Sequence, residues 1–359
     1  MAGARKKRAP GLWRWHRWAG LSALVVLFVA SITGIALSYQ KELITAVIAP
    51  GVALPESYSA IEMARDLEIV VAKYGDGEAL NLKAPNSIEP YWTVRAKSDT
   101  KLIALDNLEP YSERLWFLDA MKWLWELHVH LLSGEIGEAL LLVAVIFALF
   151  LCVSGLIMWW PGRRAFRWRF ILPKEIRPSQ WLQYHRHSGA LVSPILIVVL
   201  LTGAIMVWQG LVFRLMPPPE VYEFPIAGVK PARLSQQLLV AQAKIPDAWP
   251  TYMTVSGLDA EPELKVRFRL NGEWHLNGRT TVWVSPVNGT LRVSERSDES
   301  ALGRRLLNQL YPLHSGFGMN AIYRVLILLS GIGLLWLTVT GAAYYIKRER
   351  QGFRKKSHH

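Results

Sequence analysis

Long apolar stretches alternate with polar segments along this chain of 359 residues. Each stretch is close to or above the ~20 apolar residues that cross a hydrocarbon core of ~30 Å. Backbone polar groups in lipid have to be paired, and a continuous helix achieves this. The pattern therefore predicts a membrane α-helical fold, a bundle of four transmembrane helices. The predicted spans are 18–49, 135–160, 188–216 and 321–346.

The polar segments 50–134 and 217–320 share one order of elements. In each, a helical periodicity precedes runs of alternating apolar and polar residues that are typical of strands. Asn288-Gly289 is typical of a hairpin turn. We therefore predict two small α+β domains and an internal repeat of span, domain and span. The predicted helices are 58–74 and 234–244, and the predicted strands are 91–97, 102–106, 252–255, 263–270 and 280–285.

Basic residues decide the predicted orientation of the chain. Lys and Arg are concentrated in the segments 1–17, 161–187 and 347–359, and they carry much of the net charge of +13. Because basic residues beside spans stay in the cytoplasm, both termini are expected inside and both α+β domains outside. We interpret the charge as contact with the lipid bilayer and expect no nucleic-acid binding.

Familiar catalytic motifs do not occur in this sequence. It has no phosphate-binding glycine loop, no zinc-protease helix motif and no serine-hydrolase elbow. Its single cysteine, Cys152, lies in the second span and excludes a disulfide within one chain. The candidate chemistry is therefore carried by histidines.

Four histidines occupy equivalent positions in the two repeats. His16 and His185 each begin a His-Arg-x-x-Gly sequence at the cytoplasmic end of spans one and three. His128 and His314 each follow a leucine at the outer end of spans two and four. Because spans one and three run in the same direction, as do spans two and four, the members of each pair are expected at one depth.

Paired histidines on different helices are typical ligands of b-type haem, whose iron takes an axial imidazole from each side. We predict two bis-histidine haems. His16 and His185 would be the axial ligands of the iron near the cytoplasmic face. His128 and His314 would be those of the iron near the outer face.

Two arginines and several small residues accompany the predicted ligands. Arg17 and Arg186 are expected to pair with haem propionates at the inner site. Small side chains would let a flat macrocycle approach the backbone. The small residues in question are Ala19, Gly20, Ser188, Gly189 and Gly316.

Other roles of these histidines stay open from the sequence. A histidine among tryptophans at a membrane interface also fits an aromatic belt. His130 and His187 are the alternative ligands, although His130 faces away from His128 on a helix and His187 has Trp18 at its equivalent position. His275 is expected at the protein surface.

The histidine sequences and several further motifs resemble the PepSY-associated transmembrane-helix family, which includes the PiuB type and the FoxB-type ferric-siderophore reductases. The motifs follow the family's order over essentially the whole chain, and the outer segments resemble PepSY domains. The matching motifs are His-Arg-Trp-x-Gly-Leu at 16–21, Thr33-Gly34, Leu-His-x-x-Leu-Leu-x-Gly at 127–134, Ser-Gly-Leu-x-x-Trp-Trp-Pro at 154–161, His-Arg-x-x-Gly at 185–189, Leu-His-Ser-Gly at 313–316 and Thr340-Gly341.

The resemblance implies a di-haem b cytochrome of the bacterial inner membrane, an oxidoreductase whose cofactors carry the chemistry. Its electron donor would be a separate cytoplasmic or membrane component, such as a flavin reductase or a quinol. Its acceptor would be a ferric siderophore or another periplasmic ferric chelate. Two alternatives remain open: a haem-free PepSY membrane protein that binds or inhibits a periplasmic protease or peptide, and a siderophore or iron permease.

Overall fold

A computed structural model describes residues 10–356, except 76–78, 97–98, 227, 229–230 and 257–261. The basic residues before Pro10 and the last three residues therefore lie outside the described part. The chain divides into two compact units. The first, here called the helical unit, comprises Met1–Ser38, Lys122–Gly210 and Leu313–His359. The second, the sheet unit, comprises Tyr39–Met121 and Leu211–Pro312.

The described residues form α-helices and strands, with three short 3-10 segments within residues 160–180. The helices are α1 (Pro10–Leu37), α2 (Gln40–Ile48), α3 (Ala60–Tyr74), α4 (Leu115–His130), α5 (Gly134–Trp159), α6 (Trp181–Val207), α7 (Gln209–Arg214), α8 (Leu234–Lys244), α9 (Leu302–Asn308), α10 (Leu310–Ser315) and α11 (Ala321–Lys356). The strands are β1 (Leu80–Lys83), β2 (Trp92–Ala96), β3 (Asp99–Ile103), β4 (Val221–Pro225), β5 (Ala248–Ser256), β6 (Glu263–Leu270), β7 (Thr280–Ser285) and β8 (Thr290–Ser294).

Four helical segments in the described residues are long and apolar enough to cross a membrane, which confirms the predicted number of spans. These segments are Gly11–Leu37, Gly134–Ala165, Pro178–Val207 and Ala321–Gln351. The first ends earlier than predicted, because the chain leaves the helix at Ser38 and Tyr39 before α2 begins. The hydroxyl of Ser38 donates to the carbonyl of Gly34 at 2.8 Å. This hydrogen bond pairs one of the carbonyl groups at the end of α1.

The first and third spans also begin earlier than predicted. His16 and His185 were expected just before their spans, but they lie in the second turns of α1 and α6. Each of these helices begins with aromatic residues and continues without a break through the His-Arg sequence. Both histidines are therefore held by a rigid helix instead of a loop.

The four spanning helices form a ring in which α1 packs on α5 and α11, and α6 packs on the same two helices. The ring places α1 and α6 diagonally across the bundle. Small side chains permit close approach of membrane helices, and several are buried at its centre. The central cluster consists of Ala23, Leu27, Ala144, Ala148, Cys152, Leu196 and Leu200.

The sheet unit contains one antiparallel sheet of eight strands in the order β3-β2-β1-β5-β6-β7-β8-β4. Both repeats contribute to it: β1 from the first segment pairs with β5 from the second, with Leu82 opposite Met253. One face of the sheet packs against α3 and α8 in a single apolar core that includes Leu67 and Leu238. The two predicted α+β segments therefore share a sheet and a core.

Elements with strong local signals match their predictions. Helix α8 and strands β6 and β7 have the predicted bounds, and Gly289 adopts a left-handed φ of 67° in the expected hairpin turn. Strands β1 and β4 were not predicted, β8 was expected only from the hairpin turn that precedes it, and β3 lies earlier than the predicted 102–106. β1 is four residues long and largely buried, and β4 is a mostly exposed edge strand, so neither shows a clear alternation.

Candidate cofactor site in the helical unit

The predicted histidines meet in two pairs inside the helical unit. His16 of α1 and His185 of α6 face each other with their ring centroids 6.3 Å apart. His128 of α4 and His314 of α10 do the same, also at 6.3 Å. A metal between two imidazoles, with metal–nitrogen bonds of about 2 Å, places the ring centroids roughly 6 Å apart. Both pairs therefore have the spacing of two ligands on opposite sides of one metal ion.

The hydrogen bonds of the second repeat decide which ring nitrogen carries the proton. Nδ1 of His185 donates to the carbonyl of Leu337 at 3.1 Å, and Nδ1 of His314 donates to the carbonyl of Val199 at 2.9 Å. A carbonyl only accepts, so Nδ1 has to be protonated in each ring. The lone pair of each neutral imidazole is therefore on Nε2.

The first repeat reaches the same tautomer through hydroxyl groups. Nδ1 of His16 lies 2.8 Å from the hydroxyl of Ser154, and Nδ1 of His128 lies 2.8 Å from the hydroxyl of Thr33. Each hydroxyl donates its own proton to a carbonyl of its helix, which leaves it as the acceptor for the histidine. All four rings therefore present an Nε2 lone pair.

Glycines make room for these rings. A Cβ atom on Gly155 would lie 3.5 Å from Cε1 of His16, and one on Gly341 would lie 3.2 Å from Cε1 of His185. A Cβ atom on Gly34 would lie 3.2 Å from Cε1 of His128. Gly203 is the tightest position, since its Cβ atom would lie 2.8 Å from Cε1 of His314.

Each spanning helix thus carries a hydroxyl residue followed by a glycine, where a histidine of another helix rests. The sequence analysis did not connect these dipeptides with the histidines. The signal that could have revealed it is the recurrence of one dipeptide in all four spans. The pairs are Thr33-Gly34, Ser154-Gly155, Thr202-Gly203 and Thr340-Gly341.

Two imidazoles are too few to complete a bare metal site, since zinc in proteins is held by three or four protein ligands. Among the described residues, no group of three or more His, Cys, Asp or Glu side chains could hold a metal ion. The remaining ligands would have to come from the cofactor itself. A haem, whose macrocycle supplies the equatorial nitrogens, fits this donor set.

A cavity of about 260 Å³ opens beside the first pair. His16, Arg17, His185 and Arg186 line it, and it continues inward to Leu196 near the middle of the bundle. The predicted site residues at this end therefore share one cavity. Gly20 and Gly189, two of the small residues expected beside the ligands, also line it.

The cavity also has cationic groups that suit an acidic cofactor edge. Arg17 has its guanidinium 5.0 Å from the ring of Trp13, and its buried Nε has no hydrogen-bond partner among the described residues. Arg348 lies over the same ring at 4.3 Å and lines the cavity. Sequence reasoning had assigned Arg348 only to the basic tail, because nothing local shows that the end of α11 returns to Trp13.

The alternative ligands are engaged elsewhere. Nδ1 of His130 lies 2.7 Å from Glu126, and its Nε2 lies 2.9 Å from Glu138. His187 stacks on Phe170 with ring centroids 5.0 Å apart, and its Nδ1 accepts from a backbone amide. Neither ring faces another histidine in the described residues.

His275 corrects one expectation: it is buried in the sheet unit, with 4% of its surface exposed, and is not a surface residue. Its Nδ1 accepts from the amide of Asn277, and Arg279 lies 3.0 Å from its Nε2. Burial, followed by the charges of Arg279 and Arg267, lowers the pKa of His275 to about 3. It is a neutral histidine of the sheet unit and takes no part in the pairs.

The two pairs are separated by the length of the bundle. Gly34 packs against His128 and Gly203 packs against His314. His16 and Gly34 are 18 residues apart on α1, and His185 and Gly203 have the same separation on α6. A rise of 1.5 Å per residue makes this about 27 Å. The buried layer between them is aliphatic apart from Cys152, and Phe147 packs against it.

The comparison with protein families agrees with this arrangement of spans. The family model described as PepSY-associated TM region matches residues 13–348, which is nearly the whole chain and includes all four paired histidines. A search of curated proteins found no match. The chain belongs to the family of the PepSY-associated TM region.

Proposed function

We propose that this chain is a di-haem b cytochrome of the bacterial inner membrane that passes electrons to a periplasmic ferric chelate, most simply a ferric siderophore. One observation carries the proposal. Two histidine pairs have ring centroids 6.3 Å apart, and the acceptors at Nδ1 leave the lone pair of every ring on Nε2. A Lewis acid between the rings would satisfy both lone pairs.

The chain's own residues would hold and orient the cofactors. His16 and His185 would hold one haem, with Arg17 and Arg186 as partners of its propionates, and His128 and His314 would hold the other. The hydroxyl and carbonyl acceptors at Nδ1 keep each ring neutral and fixed in rotation. Bound haem supplies one-electron chemistry, so no acid–base residue is required.

The proposed direction of electron transfer across the membrane rests on the distribution of Lys and Arg. The clusters of Lys and Arg flank the ends of the bundle that contain His16 and His185, and basic flanks stay in the cytoplasm. Electrons would therefore come from a cytoplasmic or membrane donor, such as a flavin reductase or a quinol. The acceptor would be periplasmic, since the predicted orientation of the spans puts the segments 50–134 and 217–320 in the periplasm. We infer that these segments are PepSY-like halves of one periplasmic sheet.

An optical spectrum of the purified chain tests the proposal. We expect the split α-band and Soret shift of a low-spin haem on reduction, with two haems per chain. His16→Ala and His128→Ala should each remove about one haem. His130→Ala is the matched control and should retain both, because His130 pairs with Glu126 and Glu138.

Two results would contradict the proposal. A chain that folds and binds no haem would favour the haem-free alternative, in which the sheet unit binds a periplasmic protease or peptide. A chain that moves a ferric chelate across vesicles without any reducible haem would favour the permease alternative. Reoxidation of the reduced chain by a ferric chelate, followed by stopped flow, tests the acceptor.

A further inference from the structure

The sheet unit has a second face, opposite to α3 and α8, which is accessible at Lys265, Trp283 and Arg292 and closed at the buried Lys83. Side chains alternate between the faces of a strand, and the residues opposite to the core of α3 and α8 include four cationic and two aromatic side chains on neighbouring strands. We call this the cationic face, and it is defined by Lys83, Tyr252, Lys265, Arg267, Trp283 and Arg292. Nothing in the proposed function uses it.

Two aromatic rings on this face each lie between two cations. Strand pairing places Trp283 between Lys265 and Arg292, whose charged groups are 5.6 and 5.8 Å from its ring. In the next row, Tyr252 lies between Lys83 and Arg267, at 5.9 and 5.7 Å.

The positive charge of the face is poorly compensated. Among the described residues, no carboxylate lies within 4.0 Å of Lys265, Arg267 or Arg292, although Glu223 is the cross-strand neighbour of Arg292. Glu263 at the end of β6 accepts a hydrogen bond from Ser285. Lys83 has a partner in Glu89, but Lys41 shares that carboxylate.

We propose that the cationic face binds an anionic ligand with flat aromatic rings, of the class of the tricatecholate chelates of ferric iron. The cations supply charge complementarity, and Trp283 and Tyr252 supply surfaces on which a catecholate ring can stack. A neutral or cationic hydroxamate chelate gains neither interaction to the same degree. This inference rests on the proposed function and specifies the charge and chemistry of its acceptor.

The test uses the full chain in detergent and a redox-inert probe, the gallium(III) complex of a hexadentate tricatecholate. We expect saturable binding that weakens as salt is raised, because exposed charges are screened. The gallium(III) complex of a trihydroxamate, which carries no negative charge, should bind far more weakly. Inorganic phosphate should compete only at large excess, since it has charge but no ring.

Matched variants locate the site. Lys265→Gln with Arg292→Gln should weaken the tricatecholate about 10-fold, and Trp283→Ala about 5-fold. Arg65→Gln removes the same kind of charge from the exposed surface of α3 on the opposite layer and should leave binding unchanged. Equal affinity for both gallium complexes, equal loss in Arg65→Gln, or displacement by equimolar phosphate would overturn the inference.

The optical spectrum of the same sample separates the two proposals. Haem without tricatecholate binding rejects the cationic face as a ligand site and leaves the di-haem proposal in place. Tricatecholate binding without haem rejects the cytochrome and keeps the ligand site. The gallium probe makes this separation possible, because it is not reduced.

Discussion

The imidazole of His314 rests so closely on α6 that the position of one methyl group matters. A Cβ atom at Gly203 would lie 2.8 Å from Cε1 and 3.1 Å from Nδ1 of His314. Contacts below 3.0 Å force atoms to shift, and here the neighbour is a ring already hydrogen-bonded to Val199. The glycine is thus as much a part of the candidate site as the histidine.

Gly203→Ala should therefore displace His314 and disturb one haem only. We expect a chain with about one low-spin haem, measured as haem per protein and as the intensity of the reduced α-band. Gly11→Ala is the control, because a Cβ atom at Gly11 meets nothing within 4 Å. Two fully low-spin haems in Gly203→Ala would show that the ring of His314 is not a ligand in this position.

Thr33→Val tests the acceptor at Nδ1 of His128 with little change of shape. Removing a hydrogen-bond partner of a metal-ligating histidine typically costs 10–100-fold in metal affinity, and we expect about 10-fold faster haem loss to an apo-globin acceptor. Ser31→Ala is the control, since the buried hydroxyl of Ser31 bonds only to its own helix in the described residues. Unchanged haem retention in Thr33→Val would count against the assigned role.

At the scale of elements, α2 shows how a short helix is fixed to a sheet. Lys41 at its start lies 3.4 Å from Glu89, which also pairs with the buried Lys83 of β1. The hydroxyl of Thr45 donates to the carbonyl of Ile88 at 2.8 Å. Burial lowers the pKa of Lys83 to about 8, and the charge of Glu89 opposes that shift. One carboxylate, that of Glu89, therefore serves two ammonium groups.

Glu89→Gln should leave two ammonium groups without that balance. Removing one partner of a buried ion pair costs about 3–5 kcal/mol, and we expect a loss of this order in the unfolding free energy of the sheet unit, measured by urea titration of tryptophan fluorescence. Lys83→Met in the same chain should restore part of it. Glu109→Gln, which removes the exposed partner of Lys73, should cost less than about 1 kcal/mol.

Prediction of the elements from sequence succeeded where one face of an element is buried and the other is not. Helix α8 buries residues at helical spacing and strand β6 alternates between buried and more exposed residues, and the bounds of both were predicted. The first span was predicted to reach residue 49, because apolar residues resume at Leu43 directly after the polar Gln40-Lys41-Glu42, and the break between α1 and α2 was therefore missed. Strand β1 is stabilised by its partners β2 and β5, which are distant in sequence, and its own four residues carry little signal.

At the scale of the whole molecule, the two repeats combine in both units. The two spans of each repeat are neighbours in the ring, α1 beside α5 and α6 beside α11, and each histidine pair takes one member from each repeat. The strands of both repeats likewise share one sheet. A single repeat would therefore have half of each histidine pair and an open edge at β1 or β5.

The sheet unit should also lose stability in acid, through His275. Its folded pKa of about 3 lies below the ordinary 6.5, so the unfolded chain binds more protons between these values. The stabilisation is present above pH 6.5 and is lost as the pH falls toward 3, with a slope of up to about 1.4 kcal/mol per pH unit. Thermal unfolding at pH 7, 6, 5 and 4 measures it, and His275→Gln should flatten the dependence. An equal slope in the variant would assign the acid sensitivity to other groups.

The sequence by itself determined the number of spans, the repeat and the identity of the paired histidines, because hydropathy, spacing and repetition are properties of the linear chain. Only the tertiary structure decided which helices are diagonal, which glycine receives each ring and which acceptor sets its tautomer. His314 meets Gly203 and Arg348 meets Trp13 across more than a hundred residues of sequence. Such contacts depend on how helices pack, and no local pattern of residues records that packing.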